Sequence, residues 1–170
     1  MSNEHELLRI SNNLEFQKLL SSNFHPLSHE LQEWSKASYD KNLNYAEQLV
    51  VPTISGQYVR SKSESMIDYI LCKYQIPFRY ECALLLGNKK IYPDFTILHP
   101  QTGKTYYWEH FGMMDEIRYV ESYNAKMKLY TTNGIIPSIQ LIITYETKEK
   151  PLSFEIVEML AKQYFVEVGK

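Results

Sequence analysis

The segment "IYPDFTILHPQTGKTYYWEHFG" (91–112) constrains the fold most, because two apolar and aromatic runs flank a short polar turn and each run carries one acid, Asp94 and Glu109. Strand residues of one face recur with period two, so Asp94 shares its face with Tyr92 and Thr96, and Glu109 shares its own with Tyr107 and Phe111. A four-residue loop, Pro100 to Gly103, with glycine last, pairs His99 with Lys104. That register sets Asp94 directly opposite Glu109, with Cβ atoms about 5 Å apart, where like charges destabilise a sheet unless something positive lies between them. A three-residue loop with a bulge would slip the register by one and turn Glu109 to the other face. Pro93 lacks an N–H for a ladder, so it points to an edge or a bulge just before Asp94.

The surrounding chain reads as helix, three-stranded meander, helix, strand, helix, which predicts an α/β fold with a mixed β-sheet flanked by helices. Helices are expected over 61–74, 115–132 and 153–165, the second ending at the Asn133-Gly134 stop signal, and an apolar strand over 138–144. Within "IPFRYECALLLGNKKIYPDFTIL", turns are expected at Pro77 and at Gly87-Asn88. Upstream, residues 1–50 read as an acidic helical N-terminal segment of two or three helices, interrupted at "SSNFHP". Pro52 and Gly56 mark the boundary before a domain spanning 51–170.

A third acid, Glu64, precedes Ile67 by three residues on the apolar stripe of helix 61–74, which also carries Ile70, Leu71 and Tyr74. Ser61-Lys62-Ser63-Glu64 also fits a capping box, with Glu64 reaching back to the cap amide. Three inward carboxylates without a cation would be costly, so the three together favour a shared ion. Oxygen ligands without Cys or paired His favour magnesium or manganese, and such an ion suits phosphoryl chemistry. Two carboxylates about 5 Å apart would also suit a retaining glycosidase, but a third acid favours a cation. On helix 115–132, Tyr119, Tyr123, Lys126 and Tyr130 form one stripe, which sets Lys126 among aromatic residues.

Glu64 on a leading helix, Pro93-Asp94 in one strand and Glu109 in the next resemble the PD-(D/E)XK nuclease superfamily and its αβββαβ core, over roughly residues 55–165. More closely, "RSKSE", "IPFRYE", "YPDFT", "YYWEHFG", "YNAKMKLY" and "GIIPS" are similar to a group of bacterial nuclease-like proteins of that superfamily. The resemblance implies a metal-dependent hydrolase of DNA phosphodiester bonds, an endonuclease, with a restriction-endonuclease-like core. It implies Asp94, Glu109 and Glu64 as ligands of Mg2+ or Mn2+, with the same three and Lys126 as catalytic residues. The third motif departs from the family: Phe111 stands where a lysine is usual, and Lys126 on the following helix is the position that would replace it. The alternative is a nucleic-acid-binding module that keeps the fold without cleavage.

Other residues carry weaker signals. Arg60, Lys62, Lys89, Lys90 and Lys104 could form a basic rim against phosphates, while Trp108 and His110 fall opposite Glu109 by parity and read as core. Gln140 reads as an ordinary polar strand residue, His99 as a turn residue, and His25 with His29 as an isolated pair at helical spacing. Cys72 and Cys82 lack metal-ligand spacing and read as small core residues. At 44% hydrophobic and 22% charged residues over 170 positions, with a net charge of −2, the chain is globular, and its charge leaves a DNA partner open. The longest apolar run, "IIPSIQLIITY", is too short and polar to cross a bilayer, and the start lacks a basic region ahead of an apolar one, so a cytoplasmic protein without membrane contact is expected. Whether it is a homodimer is left open.

Overall fold

The computed structural model describes residues 28–166; the expected helices before 28, and His25, lie outside them. Period-two patterning and turn chemistry build the centre of the fold. Strands β3 (Phe78–Tyr80), β6 (Phe95–Leu98), β7 (Thr105–Phe111) and β8 (Leu141–Tyr145) form a four-stranded sheet in the order β3-β6-β7-β8. The first two pairings are antiparallel and β7 runs parallel to β8. Ahead of it come α1 (His29–Lys36), a single 3-10 turn (Ala46–Gln48) and the two-residue ribbon β1 (Val51–Pro52) with β2 (Tyr58–Val59). Helices α2 (Lys62–Lys73), α3 (Ile117–Thr132) and α4 (Phe154–Phe165) complete a mixed α/β domain with four α-helices among the described residues. None of these helices is long and apolar enough to cross a membrane.

The hairpin loop sets the register. His99 N–H donates to the Lys104 carbonyl at 2.8 Å and Gly103 N–H donates to the His99 carbonyl at 2.8 Å, with Gly103 at φ 65°, a left-handed conformation that glycine adopts without strain. Phe95 therefore pairs with Trp108 and Ile97 with Tyr106, the register expected from a four-residue loop. The meander differs from expectation in one respect. The Gly87-Asn88 turn does not join two strands of the central sheet but closes a separate hairpin, β4 (Leu84–Leu86) with β5 (Lys89–Ile91). Two local features cut the strands there: Glu81 adopts φ 47°, which turns the chain out of the sheet after Tyr80, and Pro93 has no N–H to continue a ladder into β6.

Helix boundaries follow their caps. Ser61 Oγ accepts from Glu64 N–H at 3.1 Å to start α2, Ser153 Oγ accepts from Ile156 N–H at 3.4 Å to start α4, and Gly134 at φ 78° follows the end of α3. Alternation along the strands then separates two apolar layers. Phe95, Ile97, Trp108 and Ile142 face α2 and α4, where they meet Ile67, Ile70, Leu71, Val157 and Ala161. Leu141 and Tyr107 face the other way, toward Tyr130 and Met127 of α3 and Leu86 of the small hairpin. Glu109 belongs to this second face by register.

Two ties outside the core have measurable consequences. The Arg79 guanidinium lies 4.4 Å from the Trp34 ring centroid and 5.0 Å from that of Tyr39, and it donates twice to the Trp34 carbonyl. With Tyr39 OH donating to the Tyr80 carbonyl and the Lys41–Cys82 bridge, it seats residues 34–41 on the edge of the sheet. Arg79→Ala is expected to cost about 1–2 kcal/mol and to speed proteolysis within residues 36–50, as read from fragment masses after limited digestion. Between α2 and α4, Glu158 accepts from Lys73 Nζ at 2.7 Å and from Tyr74 OH. These bonds hold its carboxyl down at about 2 from an ordinary 4.5. A depressed carboxyl stabilises above its unfolded pKa, so this contribution is present above pH 4.5 and is lost as pH falls toward 2. Glu158→Gln is expected to flatten that part of an acid-unfolding profile.

Candidate active site

Glu109 follows Trp108 by one residue, so the alternation that buries the indole on the α2 side sends the carboxylate to the α3 side, where it is 1% exposed. A carboxylate this deep needs donors for both oxygens. Lys126 Nζ supplies one, 2.6 Å from Oε2, and Tyr130 OH donates to Oε1. The two donors are four apart on α3, hence on one face of it, and that face lies over β7. The stripe read from the sequence thus points at the acid.

Asp94 sits one residue before β6, and continuing the register Phe95–Trp108 by one step brings it beside Glu109. Its Oδ2 accepts the His110 backbone N–H at 2.7 Å, a bond that ties the two strands at the site. Burial first and the Glu109 charge second push the Asp94 carboxyl well above the usual carboxylate range, while Lys126 and the His110 N–H pull it partly back. The pair therefore behaves as like charges in a poorly solvated place. Burial alone would lower the Lys126 pKa, but Glu109 and Asp94 outweigh it and hold the ammonium above its ordinary value.

Glu64 arrives from a different layer. It is 8% exposed at the first turn of α2, and its Oε2 accepts the Arg60 backbone N–H at 2.9 Å and Tyr80 OH at 2.7 Å. Ser61 caps Glu64 N–H as the sequence suggests, but Glu64 takes the Arg60 amide, one residue before the expected cap amide of Ser61. Its charge still contributes to raising Asp94. Among the described residues no three His, Cys, Asp or Glu side chains gather closely enough to hold an ion, so the expected convergence of Glu64, Asp94 and Glu109 into one three-acid ligand set is not formed. The physical reason is satisfaction: Tyr80 and the Arg60 amide fix Glu64 on the α2 side. Asp94 and Glu109 are the pair brought together, with Lys126 beside them.

The rim also departs from expectation. Arg60 is not a solvated cation; its guanidinium donates to Glu81 at 2.7 and 3.0 Å and to the carbonyls of Asn44 and Tyr45, each at 2.8 Å. Glu81, itself buried, donates its N–H to the Asp94 carbonyl at 2.9 Å, so this ion pair braces the backbone of the site. Lys90 pairs with Asp40 at 2.8 Å, whereas Lys62, Lys89 and Lys104 are exposed. Gln140 donates to the Gly134 carbonyl and His29 stands 3.7 Å from Glu33, both away from the acids. Trp108 and His110 are buried on the opposite face, both bonded to Thr144 Oγ1. Cys72 and Cys82 are free and half-buried, and burial with Asp68 nearby pushes the Cys72 thiol up to about 12, which keeps it inert at neutral pH.

The tyrosine donors were not assigned a role from sequence. Tyr130 carried a signal, since it lies one turn beyond Lys126 on the same stripe, but Tyr80 carried none: its meeting with Glu64 depends on α2 packing against β3.

No protein-family model matches the chain, and no match is found among curated proteins or solved structures. Fold and site define a class, a mixed α/β domain with a buried glutamate, a half-buried aspartate and a lysine on one face of its sheet. An aspartate and a glutamate on adjacent strands fit a hard cation such as Mg2+, which is commonly held by one or two carboxylates and completes its shell with water and substrate oxygens.

Proposed function

We propose that the chain is a Mg2+- or Mn2+-dependent nuclease that hydrolyses DNA phosphodiester bonds, with the restriction-endonuclease-like core of the PD-(D/E)XK superfamily. The supporting observation is Lys126 Nζ at 2.6 Å from Glu109, beside Asp94, delivered by the helix after the strand that carries Glu109. Phe111 occupies the usual lysine position of that strand, and Lys126 brings an ammonium to the acids from α3 instead. Asp94 and Glu109 would hold the ion, which supplies an activated water and neutralises charge on phosphorus. Glu64, held by Tyr80 and the Arg60 amide, would contribute negative potential and orientation from the α2 side. Lys126 would offer its ammonium to the charge that develops on the phosphoryl oxygens.

The second reading is a nucleic-acid-binding module of the same fold without cleavage. It is favoured by one observation: both oxygens of Glu109 already have protein donors. Incubating plasmid and structured DNA with Mg2+ or Mn2+ separates the two. Wild type is expected to nick or linearise the DNA, EDTA to stop it, and Asp94→Ala to lose it. Equal cleavage by wild type and Asp94→Ala would remove the proposed mechanism, and binding without cleavage would favour the second reading.

A further inference from the structure

Lys126 is itself the cation of the acid pair. Its ammonium touches Glu109 Oε2, one of the oxygens that a divalent ion between Asp94 and Glu109 would need, and Tyr130 already holds the other. With both carboxylates ionised, one ammonium against two leaves the cluster with one net negative charge. A second cation is therefore attracted, but it cannot share Oε2 with the ammonium at contact distance, because like charges that close repel strongly in a poorly solvated place. Lys126 has a route out: its side chain is 29% exposed, on a flexible four-carbon stem, whereas Glu109 at 1% has none.

Resting on the metal-dependent reading above, we propose that Lys126 is a resident counter-ion that holds Glu109 Oε2 until a divalent cation takes its place, and that only then is its ammonium released toward an anionic substrate. The protein thereby couples ion loading to delivery of its own catalytic cation. The apparent affinity for the ion is weakened by the competition, so the unloaded site stays closed on itself. Tyr130, which bonds the other oxygen, keeps Glu109 oriented in both states.

The test is calorimetric titration with Mn2+ of wild type, Lys126→Met and Lys126→Arg. Removing the competing charge is expected to tighten Mn2+ binding by about tenfold or more in Lys126→Met, while Lys126→Arg, which keeps the charge, stays within about threefold of wild type. Equal or weaker binding by Lys126→Met would overturn the proposal while leaving a metal site in place. No Mn2+ binding by wild type or either variant at millimolar concentration would overturn the metal-dependent reading as well. If Lys126→Met does not fold, the lysine side-chain NMR signal missing from Lys126→Arg decides the matter in wild type. Saturating Mg2+ is expected to shift that signal, and not in Asp94→Ala; an unmoved signal in Mg2+-saturated wild type overturns the displacement.

Discussion

Replacing Asp94 by asparagine is expected to yield a protein that folds more stably and, on the proposed nuclease reading, loses most of its DNA cleavage. The carboxyl lies well above the ordinary carboxylate range because burial and Glu109 disfavour its charge. A group with a raised folded pKa favours the native state below its unfolded pKa, near 3.8, and that advantage is lost as pH rises through the folded value. Charging Asp94 in the native state is therefore a net cost to the fold. Asparagine carries no charge, and its amide oxygen can still accept the His110 N–H that Asp94 Oδ2 accepts at 2.7 Å. Asp94→Asn should gain stability by urea unfolding at pH 7, with the gain shrinking as pH falls toward 4. If the chain is the proposed nuclease, cleavage with Mg2+ should drop by about a hundredfold or more, since the site loses one of its two anionic oxygen donors. Lower stability of the variant at pH 7 would show that the acid pair is not the strained element described here. Such opposition of stability and activity is typical of sites whose charges serve chemistry rather than folding.

The second large effect falls one strand position from Glu109, on the opposite face. Trp108 is fully buried, pairs across the sheet with Phe95 and Ile142, and donates its indole N–H to Thr144 Oγ1 at 3.1 Å. Trp108→Ala removes the largest side chain of the α2 and α4 layer and takes a donor from the buried Thr144 hydroxyl. The expected cost is about 3–5 kcal/mol, a large share of the roughly 5–15 kcal/mol that stabilises a domain of this kind. Chemical denaturation measures it directly. A loss below about 1 kcal/mol would mean that the indole is not packed as described. On the proposed nuclease reading, cleavage by Trp108→Ala below its unfolding transition should persist, because the indole points away from the acids; the contrast with Asp94→Asn separates the packing face from the face that carries the acid pair.

Local rules were enough for much of this. The four-residue loop at Pro100–Gly103 is a matter of adjacent residues, and it alone fixed the register that sets Asp94 beside Glu109. Caps at Ser61 and Ser153 and the stop at Asn133-Gly134 are also local, and the helices begin and end there. The turn at Gly87-Asn88 shows the limit: it forms where the sequence placed it, but whether its strands join the central sheet depended on the backbone of Glu81 and Pro93.

By itself, then, the amino-acid order determined the alternation that places Glu109 and Trp108 on opposite faces, the pairing of the two acids across the hairpin, and the stripe carrying Lys126 and Tyr130. These depend on periods and spacings within single elements, where steric rules act over a few residues. Only the tertiary structure decided which acid received which donor. Glu64 went to Tyr80 and the Arg60 amide, Glu109 to Lys126 and Tyr130, and Arg60 to Glu81 rather than solvent. Those choices follow from how two helix layers close over a buried sheet, where every polar group enclosed must find a partner brought from elsewhere in the chain.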